Sequence, residues 1–161
     1  MRISSPLPYA LQSRRRHLAL LGVSWLSAGT LARSEAAWAD EDPGFRVIVH
    51  PSNPLHAVER GFVADAFLKK VTRWENGRSI NAVDLRQDNP VRHRFTQEVL
   101  KRSLGAVRSY WQQRIFSGRD VPPPELESDE LVVAFVAKYP GALGYVSGAA
   151  KLAGAREVAV R

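Results

Sequence analysis

An apolar run near the N-terminus divides this chain into two parts of different character. Three arginines and a histidine at positions 14–17 precede a run of fourteen mostly apolar residues at 18–31. That length matches the roughly 7–15 residues of a signal-peptide core and is short for a membrane span, which needs about 20. Ala37-Trp38-Ala39 then supplies a small-x-small cleavage pattern before Asp40. We interpret residues 1–39 as an export signal cleaved after Ala39, the alternative being an uncleaved anchor helix.

The arginines at 14–16 are compatible with two export routes. Ser13-Arg14-Arg15-Arg16-His17-Leu18 resembles a twin-arginine signal, which exports folded proteins. An ordinary Sec signal also begins with basic residues. Either route predicts a periplasmic protein with no stable membrane span once the signal is removed.

Removing the signal changes what the net charge implies. The whole chain has 23 basic and 16 acidic side chains, a net charge of +7. Residues 40–161 keep 18 basic and 15 acidic side chains, a net charge of +3 over 122 residues. This mild charge comes with no base-reading motif, so no nucleic-acid partner is expected. The absence of cysteine excludes thiol catalysis and disulfides.

The remaining residues predict alternating strands and helices. Apolar β-branched residues predict a strand at 45–50, helical spacing predicts a helix at 57–70, and a short apolar segment predicts a strand at 80–85. Asn89-Pro90 is typical of a helix start, because Asn caps free N–H groups and Pro suits the first turn. A helical segment at 107–115 follows, and Gly105 separates it from the previous helix. A proline linker at 121–124, a helix capped by Ser128 and closing strands at 142–147 and 157–160 complete the order. This alternation predicts an α/β domain with a partly parallel sheet.

Several short sequence motifs between Val47 and Ser147 together resemble those of the phosphate-type substrate-binding proteins of ABC importers. The resemblance depends on the order and spacing of these motifs. The motifs are Val49-His50-Pro51-Ser52-Asn53-Pro54, Phe67-Leu68-Lys69-Lys70, Trp74-Glu75-Asn76-Gly77, Arg92-His93-Arg94-Phe95, Tyr110-Trp111-Gln112, Phe116-Ser117-Gly118 and Pro140-Gly141-Ala142-Leu143-Gly144-Tyr145-Val146.

The resemblance implies a single lobe of a type II periplasmic-binding-protein-like fold over residues 40–161, with a mixed, mostly parallel sheet flanked by helices. It also implies non-catalytic binding of a small oxyanion such as phosphate, no cofactor, and an ABC permease or sensor as partner. Full members close two lobes over the ligand, and we expect room here for only one. In relatives a Ser-Gly-Thr turn contacts phosphate, and its place here is taken by Asn89-Pro90-Val91. Proline lacks an N–H and valine lacks a hydroxyl, so phosphate binding is not simply inherited.

The predicted site lies at the start of the helix that begins at Asn89-Pro90. A helix N-terminus attracts anions, and arginine holds an oxyanion through two parallel hydrogen bonds. We therefore expect Arg86, Asn89 and Arg92 to form one wall of a shallow anion site. Ser52 and Asn53, on the loop that leaves the first strand, would form the other wall. In the alternative interpretation Asn89 is only a cap and the arginines form a solvated face.

No combination of residues predicts an enzyme or a metal site. His50, His56 and His93 match no compact metal-ligand spacing, and no nucleophile elbow is present. The acidic residues at 125–130 are interpreted as helix capping and a solvated face. Trp111 is expected in the core, and the sequence leaves Trp74 open between core and ligand stacking. The functional alternative to oxyanion binding is an envelope interaction or accessory module with a degenerate ligand site.

Overall fold

The computed structural model describes residues 44–161, so the signal predicted at 1–39 lies outside the described residues. Within them the chain forms four helices and eight strands. The helices are α1 (Arg60–Phe67), α2 (Pro90–Glu98), α3 (Leu104–Phe116) and α4 (Asp129–Lys138). The strands are β1 (Phe45–Val49), β2 (Ala57–Val58), β3 (Asn81–Ala82), β4 (Asp84–Leu85), β5 (Glu125–Leu126), β6 (Ala142–Ser147), β7 (Arg156–Glu157) and β8 (Ala159–Val160).

The central sheet has four strands in the order β3-β6-β1-β7. β1 pairs antiparallel with β6 and with β7, whereas β3 runs parallel to β6. Two small parallel pairs, β2 with β8 and β4 with β5, extend the structure. Parallel pairings are therefore in the majority, although the longest ladder, β1 with β6, is antiparallel. The predicted mixed α/β class is confirmed.

Helices cover both faces of the sheet, and two neighbouring residues of β6 show this. Successive residues of a strand point to opposite faces. Gly144 faces α4, where an added Cβ would lie 2.8 Å from Cγ1 of Val132. Tyr145 points to the other face and stacks on Phe95 of α2, with ring centroids 3.8 Å apart. Because β6 is covered on both sides, residues 142–146 are all buried, and β6 is apolar throughout, as expected for a central strand.

Long-range pairing divides two of the predicted strands and shortens one helix. The segment predicted at 80–85 splits around Val83, because β3 pairs with β6 and β4 pairs with β5. The segment at 157–160 splits at buried Val158 into β7, beside β1, and β8, beside β2. The predicted helix at 57–70 begins only at Arg60, because Ala57 and Val58 pair with the C-terminal strand.

Local capping signals place the helix starts. Asn89 Oδ1 accepts a hydrogen bond from the N–H of Val91 at 2.8 Å, with Pro90 as the first helical residue. Ser128 Oγ accepts from the N–H of Leu131 at 3.4 Å. Ser103, which the sequence analysis did not select, caps α3 through the N–H of Ala106. Gly105 therefore lies in the first turn of α3 rather than in the break before it.

Both tryptophans of interest belong to the core. Trp111 is buried on α3, as predicted. Trp74 is also buried, and its indole Nε1 donates to the carbonyl of Gly141 at 3.0 Å. That bond joins the 74–77 turn to the entry of β6 and settles the role of Trp74 as structural. None of the helices within residues 44–161 has the length and apolar character needed to cross a bilayer.

Candidate functional site

The start of α2 is built by a tight turn that follows β4. The N–H of Asn89 donates to the carbonyl of Arg86 at 3.1 Å, which closes the turn. The side-chain oxygen of Asn89 is occupied as the helix cap. Its amide nitrogen is a donor only, so Asn89 could still contribute one hydrogen bond to an anion.

Arg92 lies beneath this turn rather than on its surface. Arg92 is only 5% exposed. Nη2 lies 3.1 Å from Oδ2 of Asp84 and Nη1 lies 3.0 Å from Oε1 of Glu125. Nη1 also donates to the carbonyl of Leu85. The guanidinium therefore ties α2 to β4 and β5, and its charge is already matched by carboxylates.

Asp84 is the centre of this buried network. Its Oδ1 accepts from the hydroxyl of Tyr145 and from the N–H of Leu85. Burial raises the pKa of Asp84 to about 6, although Arg92, Tyr145 and the Leu85 N–H act in the opposite direction. Burial and the neighbouring Asp84 also raise the pKa of Tyr145. The network is structural, because Asp84, Arg92 and Tyr145 are buried and contact one another, while Glu125 reaches them from the surface.

Arg86 is the exposed cation of the predicted site. Its side chain is 54% exposed at the end of β4. Nε lies 3.4 Å from Oδ1 of Asp88, and Nη1 lies 3.6 Å from Oε1 of Glu127. These two contacts orient the guanidinium and leave much of it open to solvent.

Arg108 of α3 is a second cation near this turn, which the sequence analysis missed. Its Nη2 donates to Oε1 of Gln87 at 3.2 Å. Nε2 of Gln87 in turn lies 3.4 Å from Oε1 of Glu125. Positions 87 and 108 are too far apart in the chain for any local pattern to connect them, so only the tertiary structure brings Arg108 here.

The depression beside the turn is open and holds charges of both signs. It has a volume of about 460 Å³ and is lined by Arg86, Gln87, Asp88, Glu125 and Glu127. Three of these five residues are carboxylates, so the field within the depression opposes an anion. Arg86 is the one cation among the lining residues, and Arg108 reaches the turn through Gln87.

The second predicted wall belongs to the loop after β1. Ser52 Oγ lies 2.7 Å from Nδ1 of His50 and accepts from Nη1 of Arg78 at 3.1 Å. Asn53 is buried, and its Oδ1 accepts from the N–H of Leu55 at 3.0 Å. Asn53 thus holds the loop in shape, while Ser52 sits in a small exposed cluster with a histidine and an arginine.

The sheet places the two predicted walls at opposite ends, so they do not form one site. Val49 pairs with Leu143 and Phe45 pairs with Ser147, so β1 ends where β6 begins. β3 runs parallel to β6, and β4 leads on towards the far end of β6, where Arg86 follows. Six residues of β6 span about 16 Å. A small oxyanion cannot contact Ser52 and Arg86 together.

The other side chains that the sequence raised do not form a reactive centre. Within residues 44–161, no group of three or more His, Asp or Glu side chains is arranged to hold a metal ion. His56 lies 3.4 Å from a guanidinium nitrogen of Arg156. Among the acidic residues at 125–130, Asp129 Oδ2 accepts from the hydroxyl and the N–H of Ser147. The hydrogen bonds between Asp129 and Ser147 are structural contacts between α4 and β6.

Comparison with known proteins finds similar folds among solved structures. A protein described as a phosphate ABC transporter substrate-binding protein with bound phosphate, from Clostridium perfringens, is 19% identical, with a TM-score of 0.58 over 73% of this chain and 45% of its own. An ABC-type phosphate transport receptor from Vibrio cholerae is 15% identical, with a TM-score of 0.57 over 73% of this chain and 46% of its own. PstS from Borrelia burgdorferi is 11% identical, with a TM-score of 0.57 over 74% of this chain and 47% of its own.

The domain has the fold of these phosphate substrate-binding proteins. The predicted resemblance is therefore confirmed at the level of fold. No family model and no curated protein matches the chain. The chain spans less than half the length of the substrate-binding proteins it matches, in keeping with one lobe of that fold.

Proposed function

We propose that this is an exported, periplasmic, non-catalytic protein that binds a small oxyanion such as phosphate and presents it to an ABC permease or a sensor. The observation that carries the proposal is an exposed Arg86 in the turn between β4 and α2, in a domain with the fold of phosphate substrate-binding proteins. A guanidinium offers several N–H donors in a fixed plane, which suits a tetrahedral or planar oxyanion. Asp88 fixes its orientation.

The same geometry implies weak binding. Arg86 lines an open depression, so a bound anion stays partly hydrated and gains less than in an enclosed pocket. Asp88, Glu125 and Glu127 line the depression and repel an anion. Pro90 removes one N–H donor from the helix start. We expect a Kd of about 0.1–1 mM, which corresponds to roughly 4–5.5 kcal/mol of binding free energy.

A second candidate function is an envelope interaction or accessory module with a degenerate ligand site. The observation in its favour is that the buried Arg92 has its charge matched by Asp84 and Glu125 and does not face solvent. The three carboxylates in the depression support the same interpretation. This module would use its surface, rather than the α2 turn, to contact another protein.

Titration calorimetry on the protein purified from the cell envelope separates the two candidates. Phosphate, sulfate and acetate are titrated into the wild type, Arg86→Gln and Arg78→Gln. Loss of a charge-assisted hydrogen bond by Arg86→Gln weakens binding about tenfold. Arg78→Gln serves as the matched control, because Arg78 lies at the opposite end of the sheet beside Ser52. Arg92 is unsuitable for this test, because its removal leaves Asp84 buried without its ion-pair partner.

Each outcome has a defined meaning. Silence of the wild type at 10 mM phosphate, sulfate and acetate contradicts oxyanion binding and leaves the interaction module as the better description. Binding that Arg78→Gln abolishes and Arg86→Gln leaves intact moves the site to the loop after β1. Binding that survives both substitutions contradicts the assignment to either predicted wall.

A further inference from the structure

The strand segment that holds β3 and β4 has one backbone position that is unpaired on its outer edge. The N–H groups of Asn81 and Val83 donate to the carbonyls of Gly141 and Leu143, at 3.1 and 2.9 Å. Successive residues of a strand direct their N–H and C=O groups to opposite edges. Ala82 therefore directs its N–H and C=O away from β6, and no residue among 44–161 forms a hydrogen bond with either group.

The same edge is paired on both sides of this position. The N–H of Ile80 donates to the carbonyl of Thr72, and the N–H of Asp84 donates to the carbonyl of Pro124, both at 2.9 Å. The ladder of β4 and β5 stops at Pro124, because proline has no N–H to donate to the carbonyl of Ala82. A gap of four residues, about 13 Å of strand, remains between Thr72 and Pro124.

This gap opens into a depression with an aromatic wall. The rings of Phe135 and Tyr139, at the end of α4, have centroids 4.7 Å apart, and Tyr139 is 41% exposed. The volume of about 390 Å³ is within the range of small-molecule sites. The lining residues are Lys69, Ile80, Asn81, Ala82, Pro123, Pro124, Phe135 and Tyr139. The free backbone groups of Ala82 therefore lie beside a space that suits an apolar group.

The charge of this depression is positive. Lys69 is the one charged residue in its lining, and none of the described lining residues is acidic. The backbone of Lys69 has a φ of +52°, a conformation that favours glycine after a helix, so the lysine is kept at a cost in backbone strain. Lys138 Nζ lies 5.2 Å from the centre of the Tyr139 ring and adds a second cation beside the aromatic wall. The electrostatic field therefore favours an anionic group.

We propose that this depression binds an apolar amino acid with an acylated nitrogen and a free carboxylate, either as the last residue of a peptide or as a small N-acyl amino acid. In extended form such a residue presents its N–H and a carboxylate oxygen on one edge, so it pairs with the C=O and N–H of Ala82. Its carboxylate also pairs with Lys69 through a charge-assisted contact. Its side chain packs on Phe135 and Tyr139.

The closed ends of the gap explain why a terminal residue fits better than a continuous strand. Strand addition needs an open edge along which the new strand can run. Here a strand that continued in both directions would meet Thr72 at one end and Pro124 at the other. One residue can pair with Ala82, and the rest of a bound peptide must turn out to solvent.

NMR titration of the ¹⁵N-labelled protein purified from the cell envelope tests the proposal with three matched probes. We expect N-acetyl-L-phenylalanine to move the Ala82 amide proton downfield, with a Kd of about 1 mM. N-acetyl-L-phenylalanine amide lacks the negative charge and should bind about tenfold more weakly. 3-Phenylpropionate keeps the ring and the carboxylate but lacks the N–H, and should bind about fivefold more weakly.

Substitutions assign the contacts, each with a control. Lys69→Gln should weaken binding of N-acetyl-L-phenylalanine about tenfold and leave binding of its amide unchanged. Lys101→Gln is the control, because Lys101 also has a positive φ, +53°, and lies outside the depression. Tyr139→Ser should weaken binding about tenfold through lost apolar contact. Leu131→Ser is its control, as an exposed apolar residue elsewhere on α4. Amide spectra that stay dispersed show that the variants fold.

The outcomes separate this site from the α2 turn. An unmoved Ala82 amide at 10 mM N-acetyl-L-phenylalanine overturns the proposal, as does equal binding of the acid and its amide. An equal loss in Lys101→Gln or Leu131→Ser also overturns it. Arg86→Gln should leave the binding unchanged, and a loss there would assign the carboxylate to the α2 turn and contradict the proposal.

A longer probe distinguishes the two sources of the ligand. Acetyl-Ala-Ala-Phe that binds as tightly as N-acetyl-L-phenylalanine supports the end of a peptide. Binding more than tenfold weaker supports the small N-acyl amino acid. Neither result depends on whether the α2 turn binds an oxyanion.

Discussion

Arg92 illustrates how the role of one residue is decided by its neighbours in space. In the sequence it stands beside a helix start and has the chemistry of an oxyanion ligand. In the structure it is buried against Asp84 and Glu125, which lie 8 and 33 residues away in the chain. Arg86, six residues earlier, is the arginine that reaches solvent. The residue types of the predicted site were therefore informative, but sequence spacing could not tell the structural arginine from the exposed one.

Asp84 predicts a specific dependence of stability on pH. Burial raises the pKa of Asp84 from 3.8 to about 6 in the folded protein. Between these values the folded state holds a proton that the unfolded state has lost, so the free energy of unfolding falls as pH rises. The contribution is present in full below pH 3.8 and is lost through about pH 6. Over that window it amounts to about 3 kcal/mol.

Urea unfolding of the wild type and Asp84→Asn from pH 4 to pH 7 measures this contribution. The difference in free energy of unfolding, wild type minus variant, should decrease as the pH rises, because Asn does not titrate. The variant also changes the partner of Arg92, which offsets the two curves without altering that slope. Parallel curves over the whole range would show that Asp84 titrates alike in the folded and unfolded states.

At the scale of elements, sequence signals between residues close in the chain predicted some of the boundaries correctly. Asn89-Pro90 and Ser128 begin their helices where the sequence predicted. The strand at 142–147 has the predicted bounds. Two-residue strands such as β2 and β5 carry no pattern of their own, because they exist only where a distant segment pairs with them.

Gly144 predicts how closely α4 must approach the sheet. A Cβ at this position would lie 2.8 Å from Cγ1 of Val132 and 3.1 Å from Cγ2 of Val136, and β6 is buried on its other face as well. Gly144→Ala therefore forces α4 away from β6, and we expect it to destabilise the domain by about 1–3 kcal/mol. Chemical denaturation of the variant measures this loss.

Gly61→Ala is the control for the Gly144 substitution. Gly61 lies in α1, and nothing comes within 4 Å of an added Cβ there. Alanine favours a helix over glycine by up to about 1 kcal/mol, so this variant should be unchanged or slightly stabilised. If both substitutions destabilised equally, close packing of α4 on β6 would not be the cause.

At the scale of the whole molecule, the direction of the strands determines which loops can cooperate. The loop after β1 and the turn after β4 both follow strand ends, and the sequence suggested that they face one ligand. Because β1 is antiparallel to β6 whereas β3 is parallel to it, the two loops lie at opposite ends of the sheet. A strand's direction relative to its neighbours leaves no trace in its own residues, so this arrangement could not be predicted.

The division of the chain at residue 39 is a further prediction at this scale. Cleavage after Ala39 gives an envelope protein that begins at Asp40 and has 122 residues. Intact-mass spectrometry of the envelope fraction should find this species. Replacing Arg14 and Arg15 by lysine should block its appearance if export uses the twin-arginine route, and should leave it unchanged on the Sec route. A full-length protein retained in the membrane would instead support the anchor-helix alternative.

The sequence by itself determined the α/β class, the caps of α2 and α4, the strands β1 and β6, and the resemblance to phosphate substrate-binding proteins. These features depend on hydrophobic periodicity and on hydrogen bonds between residues close in the chain. Tertiary structure alone decided that Arg92 is buried, that Arg108 reaches the α2 turn, that the two predicted walls are separate, and that Phe116 at the end of α3 is exposed. Each of these depends on which distant segments pack together, and that choice is made by the free energy of the whole domain rather than by any local segment.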